Sequence, residues 1–359
     1  MGYEVDFLAV GDGEKSGDAI ALRFGNLHGS RNEQFVAVID GGTQESGKRL
    51  VEHIRAYYDT DYVDLVVSTH PDADHVSGLK VVVEEMDVER IWMHQPWNHT
   101  EDIARLFKDG RVTDSSVREK LRKSLEAARS LEELALSKEI DIIEPFTGLS
   151  TEGEFLTVLG PTQEFYEEQL PNFRGTPQPR LDTFSMRNFS FMSDIVNLIE
   201  ERWDIETLND DGKTSAENNT STILLLQFDG QRLLFTGDAG IPALTEVADI
   251  LEEVDFDFST LEFFQIPHHG SRRNVGPSVL NRLIGPKQRA FQSTLSAFVS
   301  ASKNGAPKHP AKKVTNAFRR RGAEVYATQG RNICHSHEAP DREGWTQISS
   351  LPFYSEVEE

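Results

Sequence analysis

Val63-Asp64-Leu65-Val66-Val67-Ser68-Thr69-His70-Pro71-Asp72-Ala73-Asp74-His75 is the stretch on which the reading of this chain turns. Its first half is a short apolar run, the pattern of a buried strand. Its second half places two imidazoles and two carboxylates within six residues. Alternating positions of this kind cannot all continue a strand, because successive side chains would leave on opposite faces. A turn, however, can aim His70 and Asp72 at one cation and Asp74 and His75 at a neighbour. Nitrogen and oxygen donors together suit zinc, manganese or iron. The bland alternative is a solvated acidic loop.

Strand signals continue on both sides. Upstream, Tyr3, Val5, Phe7 and Ala9 alternate with Glu4, Asp6 and Leu8, and Gly11-Asp12-Gly13 reads as a turn. Ala19–Phe24 and Phe35–Ile39 read as strands, the latter closed by Asp40-Gly41-Gly42. Ser46 is a candidate cap for a helix carrying Leu50, Val51, Ile54 and Tyr57 on one face. Downstream, a short helix over about 76–86 leads to a strand at 90–93. Val117, Leu121, Leu125, Ala128 and Leu131 recur at helical spacing and predict one long amphipathic helix. Phe155–Leu159 predicts a strand stopped by Gly160-Pro161. Ile195, Leu198, Ile199 and Trp203 suggest a further helix. The whole chain reads as one domain, 1–359, with 96–218 as a mainly helical insertion or accessory layer.

The last third returns to strands. Asp229-Gly230 between two apolar runs is a hairpin signal, and the second run ends in Thr236-Gly237-Asp238. Phe263–Ile266 ends in Pro267-His268-His269-Gly270. Ala297–Ser300 leads to a loop holding His309-Pro310, and Glu324–Ala327 reads as a closing strand. Four strands thus end in metal-competent residues, and loops at one edge of a sheet sandwich can bring such segments together. Asp238 is the candidate for a carboxylate bridging two ions, which together can generate hydroxide and stabilise a developing oxyanion. Asp40 reads as a turn residue or as a partner that orients a ligand histidine. Ser271, Arg272, Arg273, Lys303 and Lys308 flank the ligand loops and could hold a phosphate or oxyanion, the alternative being solvated loop charges. Arg319 to Arg321 read as a solvated helix end.

Bulk composition narrows the function classes. The 359 residues carry 37 basic against 59 acidic side chains, a net charge of −22. That excess of acid argues against a broad surface for duplex nucleic acid, but not against a small cleft whose field is set by bound cations. Mean hydropathy is −0.45, and no apolar run approaches the roughly 20 residues of a membrane-spanning helix. The opening residues carry no secretory-signal pattern. The single cysteine, Cys334, forms no disulfide within one copy of the chain and reads as a packing residue. A cytoplasmic protein with no membrane partner is the expectation.

Five blocks, in order, resemble the metallo-β-lactamase superfamily of hydrolases. Within it the likeness is to the branch that includes the metallo-β-lactamase domain of the bacterial competence DNA-uptake channel (ComEC-type). The blocks are Val10-Gly11-Asp12-Gly13 with Gly17-Asp18-Ala19-Ile20; Ile39-Asp40-Gly41-Gly42; Thr69 to His75 with Gly78-Leu79; Asn219-Thr220-Ser221 with Leu234 to Ala239; and Pro267 to Ser271 with His309-Pro310. They span 3–95 and 218–330 and leave the insertion unexplained. Asp72 stands where most of the superfamily has histidine. The resemblance implies an α/β fold, a four-layer αββα sandwich with the site along one edge. It assigns His70, Asp72 and one of His268 and His269 to one metal, and Asp74, His75 and His309 to the other, with Asp238 bridging. Asp74, Asp238 and His309 are the expected catalytic residues among these. His94 and His99 lie where many relatives have a further ligand and are weaker candidates.

The function expected is hydrolysis by a binuclear zinc or manganese centre with a bridging hydroxide, acting as a phosphodiesterase or nuclease. The substrate expected is a small phosphodiester or a single-stranded nucleic acid. A lactone, thioester or amide hydrolase on the same scaffold is the alternative, since fold does not fix substrate. A non-catalytic metal-binding protein, with a protein partner on 96–218, is the third reading.

Overall fold

The computed structural model describes residues 1–11, 17–180, 198–304 and 309–358. A seven-stranded sheet has the order Ile333–His337, Gly2–Phe7, Ala19–Gly25, Gln34–Gly41, Leu65–Ser68, Arg90–Met93 and Asp141–Ile143. Its first four strands are antiparallel, and Gln34–Gly41 onward is parallel. A six-stranded sheet has the order Ala323–Ala327, Leu295–Val299, Phe263–Gln265, Gln231–Phe235, Ile223–Phe228 and Leu156–Gly160. There the first four are parallel and the last two antiparallel.

The two sheets pack face to face with helices outside, giving four layers. Period-two alternation does the sorting. Val67, Ile39, Ile20 and Phe7 point inward, against Leu224, Phe235, Phe263 and Phe298 of the other sheet. Val66, Val38 and Ile91 point outward, against Leu50, Val76, Leu79 and Leu131 of helices Gln44–His53, Ala73–Glu85 and Glu126–Ser137. On the far side, Leu234, Phe264 and Val325 meet Leu244, Val247, Val314 and Phe318 of helices Ile241–Glu253 and Lys312–Arg320. The stretch 96–218 enters this sandwich directly, since Asp141–Ile143 and Leu156–Gly160 are edge strands of the two sheets. No helix among the described residues is long and apolar enough to cross a membrane.

One close approach seats the decisive stretch. Helix Ala73–Glu85 packs on the end of strand Gln34–Gly41 and on helix Gln44–His53 through Gly41, Gly47 and Gly78. A Cβ on Gly78 would overlap the Gly41 carbonyl oxygen, so only glycine permits this contact. The start of the helix is thereby pinned against the Asp40 turn.

Several local expectations change. Thr43, not Ser46, caps helix Gln44–His53, accepting a hydrogen bond from the Ser46 amide. The helix expected from 76 begins at Ala73, with Asp72 at its N-cap position. The single helix expected around Leu125 is two, Asp114–Ser124 and Glu126–Ser137, because Leu125 leaves helical geometry at φ −110° and ψ 46°. In the segment read as a helix at 195–203, Leu198–Glu200 is a strand paired with Glu356–Glu358, and Ile195 lies outside the described residues. Ala323–Ala327 does not close the chain, since Ile333–His337 returns to pair with Gly2–Phe7. Arg320 and Arg321 are buried rather than solvated, each against a glutamate: Arg320 with Glu201 at 2.7 Å and Arg321 with Glu206 at 2.7 Å.

Candidate metal centre

Both sheets deliver polar residues to the same edge, at the carboxyl ends of their parallel strands. Asp40 ends Gln34–Gly41, and Thr69 and His70 follow Leu65–Ser68. Asp238 follows Gln231–Phe235, and His268 and His269 follow Phe263–Gln265. Open α/β sheets place ligands at this edge, where loops diverge and backbone groups become free.

Asp40 organises the first half. It sits in the left-handed region at φ 55° and is fully buried. The Thr69 amide and hydroxyl donate to its two oxygens at 2.8 and 2.6 Å. His75 Nδ1 donates to Oδ2 at 2.7 Å. His70 Nδ1 lies 3.0 Å from the Thr69 hydroxyl oxygen, which has already committed its proton to Asp40 and so accepts. Both imidazoles are thereby held as the tautomer with a free Nε2 lone pair. Those two atoms converge on one oxygen: His70 Nε2 is 3.7 Å and His75 Nε2 3.5 Å from Asp238 Oδ2.

The second half closes around them. His268 Nδ1 is 2.6 Å from Asp238 Oδ2 and 2.5 Å from Asn218 Nδ2. His269 Nδ1 donates to the Ser300 carbonyl at 3.1 Å, leaving its Nε2 free. Adjacent left-handed conformations, φ 47° and 57°, turn the two rings apart. His269 is buried and His268 is partly exposed. Among the described residues three donor groups have their ligand atoms within 4.8 Å of one another: Asp40, His70 and His75; Asp74, His75 and His269; and Asp18, Asp238 and His269.

The electrostatics divide the imidazoles: His70, His269 and His309 are held towards the neutral form, whereas His75 and His268 are drawn towards the charged form by Asp238. Burial, then the neighbouring His75, hold His70 well below the usual imidazole range. Burial takes His269 down to about 3 and His309 to about 4. Burial opposes a charge on His75 too, but Asp238 and Asp40 outweigh it and raise that group well above its ordinary value. Burial also pushes Asp18 up to about 7. Against burial, His268 and His75 keep Asp238 well below the usual carboxylate range.

These donors fit a divalent cation. His70 Nε2, His75 Nε2, Asp238 Oδ1 and His309 Nδ1 are buried without a hydrogen-bond partner among the described residues. Each such orphan costs about 1–3 kcal/mol. Buried polar atoms are ordinarily paired, and a cation would satisfy acceptor lone pairs gathered on one side of the sandwich edge.

The remaining candidates are dispersed. Asp72 is partly exposed, with Oδ2 3.9 Å from His70 Nε2 and the carboxylate ion-paired to Arg174. His309 is half-buried near His268 and outside the three donor groups. Ser271 is buried and bonds within its own turn, Arg272 is half-exposed, and Lys303 is exposed. Lys308 lies outside the described residues, as do Asp12 and Gly13 of the opening block. His94 is buried behind Thr222, 3.4 Å from its hydroxyl, and stacks on Tyr166. His99 bonds Glu144 and Glu167 at 3.0 Å each. Both lie outside the three groups. Sequence reasoning missed Asp18 as a donor, although its block was visible, and missed Arg174 and Asn218 altogether.

A family model described as the metallo-β-lactamase superfamily matches residues 30–286. The chain belongs to that superfamily. Its members are mostly hydrolases that bind divalent metals, which agrees with the donor set gathered here. The match ends before His309 and begins after Asp18. ComE operon protein 3 of Bacillus subtilis (strain 168) is 27% identical over 114 residues, covering 32% of this chain and 13% of that protein. The chain therefore corresponds to a small part of that relative's length. A Thermotoga maritima crystal structure assigned to the metallo-β-lactamases superposes with a TM-score of 0.36 at 12% identity, covering 71% of this chain and 92% of that one. A variant of the CmlA β-hydroxylase gives 0.43 at 11%, covering 93% and 53%. Membership of the metallo-β-lactamase superfamily rests on the family match, not on these superpositions.

Proposed function

We propose that the chain is a metal-dependent phosphodiesterase with a binuclear centre. The observation that carries the metal-dependent part is the convergence of unpartnered buried donors from His70, His75 and Asp238 at the ends of strands from both sheets. His70, Asp72, Asp74, His75, Asp238, His269 and His309 are the residues that would hold zinc or manganese. Bound divalent ions supply Lewis acidity and make water nucleophilic near neutral pH. The protein's own share is to keep the imidazole lone pairs aimed, through Asp40, Thr69 and Ser300, and to exclude water from the donor atoms.

Three features favour a phosphodiester over an acyl substrate. Asp72 in a position occupied by histidine in most relatives makes the donor set richer in oxygen, which suits manganese. Arg174 stands at the edge of the centre with guanidinium geometry suited to phosphate. The partial match to ComE operon protein 3 agrees with the ComEC-type resemblance of the motifs. The net charge of −22 favours a small or single-stranded substrate over duplex DNA.

The test is a substrate panel on protein loaded with manganese or zinc: bis-p-nitrophenyl phosphate, single-stranded DNA, RNA and cyclic dinucleotides beside a lactone and a thioester. Turnover confined to phosphodiesters is expected. Turnover of the lactone or thioester alone moves the assignment to acyl hydrolysis, and no turnover at all by metal-loaded protein ends the enzymatic reading.

A further inference from the structure

Beside the candidate centre a cleft of about 380 Å3 opens between helix Ala73–Glu85 and residues 124–130. Pro71 and Ala73, the neighbours of Asp72, are among its lining residues. Ala73, Ser77 and Lys80 line one wall. They are spaced i, i+4 and i+7, so one face of the helix looks into the cleft. Ser124, Glu126 and Ser130 line the wall opposite, and Arg174 stands where cleft and centre meet.

Two cations are available there. Lys80 is half-buried, and its ammonium makes no hydrogen bond or ion pair among the described residues. Arg174 is fixed by Glu217, which accepts from the Arg174 amide at 2.6 Å and lies 3.4 Å from Nε. Its guanidinium also pairs with Asp72. Five guanidinium N–H groups leave donors to spare after these contacts. Glu126 is the acidic residue of the lining, and it stands across the cleft from Lys80. From Ala73 to Lys80 the helix rises about 10 Å, so the cleft extends well beyond a single phosphodiester placed at Asp72.

We propose that this cleft binds the phosphate next to the scissile one in a single-stranded oligonucleotide, with Arg174 and Lys80 as its successive contacts. The proposal rests on the phosphodiesterase reading and names its substrate class. The size lies in the range of a ligand pocket. It also gives residues 96–218 a role, since that stretch supplies the far wall, Arg174 and Glu217.

The experiment compares manganese-loaded wild type, Lys80→Met and Lys80→Arg on oligothymidylates of two, three and four nucleotides. Wild-type kcat/KM is expected to rise about tenfold with length, the lower end of what a hydrogen bond to a charged group contributes. Lys80→Met flattens that rise and Lys80→Arg keeps it. Binding of a labelled tetranucleotide adds a second readout: Lys80→Met lowers the slope of log affinity against log salt by about 0.7, the worth of one phosphate contact to a single strand. A Lys80→Met protein that keeps the wild-type length dependence and salt slope overturns the subsite. If wild type cleaves no phosphodiester, the catalytic reading fails by itself and the binding arm still decides. Tetranucleotide binding that depends on Lys80 supports the cleft, and absent or Lys80-independent binding removes it.

Discussion

Two buried charged clusters, one around Glu4 and Asp6 and one around Asp238, are built to opposite ends. Around Glu4 and Asp6, on the outer face of the seven-stranded sheet, every carboxylate meets a cation of the chain. Glu4 pairs with Arg23 and, at 3.0 Å, with Arg342. Asp6 takes Arg342 at 2.6 Å, His53 at 3.1 Å and the Tyr58 hydroxyl at 2.7 Å. Around Asp238 the carboxylates of Asp18, Asp40 and Asp74 meet imidazoles, with no lysine or arginine in the three donor groups, and donor atoms of His70, His75 and Asp238 stay unpartnered. In the first cluster each carboxylate has a basic partner within the chain, and Arg342 ties the C-terminal segment to the sheet. The second leaves lone pairs that the proposed cation would take up. What separates the two is therefore not burial but the convergence of unpartnered imidazole nitrogens on one carboxylate.

The largest contrast is expected between Asp238→Ala and Asp6→Ala. Asp238→Ala should cost about a thousandfold in phosphodiester turnover, since several kcal/mol of metal-assisted stabilisation are at stake. Its metal-free stability should fall less than that of Asp6→Ala in denaturant titrations, because loss of the His268 and His75 contacts is offset by relief of repulsion with Asp18. Asp6→Ala should lose about 3–5 kcal/mol of stability, the usual result of leaving buried cations unpaired, while the protein that folds keeps its metal. The comparison breaks if the two variants lose stability alike.

A smaller effect is expected at Asp40. Asp40→Asn keeps the shape of the turn but weakens the bonds that set the His70 and His75 tautomers. Metal affinity should fall about tenfold to a hundredfold, measured by competition with a chelating dye. An unchanged affinity would mean that the imidazoles are aimed by packing alone.

The smallest effect is a pH limb. Burial works against an ionised Asp6, but His53 and Arg342 outweigh it and hold the group far below the ordinary carboxylate value. A depressed folded pKa contributes stability that is present above the unfolded value near 3.8 and is lost as pH falls below it. Wild type should therefore lose stability below about pH 4 more steeply than Asp6→Asn. Parallel acid limbs for the two proteins, measured by urea unfolding from pH 3 to 6, would remove Asp6 from the account.

What the sequence showed follows from how far apart the partners lie. His70 to His75 is contiguous and follows an apolar strand, so the centre announces itself there. Asp18 was harder to read as a donor, because its meaning comes from full burial beside Asp238 and His269 rather than from spacing. His268 and His269 are adjacent in sequence and differ through backbone turns that no motif records. Arg174 is a hundred residues from Asp72, in a stretch without motifs, and only the fold joins them. Leu198–Glu200 carries apolar residues that suit a helix or a strand equally, and its pairing with Glu356–Glu358 decided the matter. Arg320 and Arg321 look like surface charges until Glu201 and Glu206, from a distant segment, fold over them.

The central claim is that the unpartnered donors form a metal centre. Elemental analysis after dialysis against zinc or manganese, with wild type beside Asp74→Ala/His75→Ala, tests it directly. The account predicts about two ions per wild-type chain, as for a binuclear site, and loss of bound metal in the double variant with the fold retained. Wild type that holds no metal, or a double variant that holds as much as wild type, would contradict it.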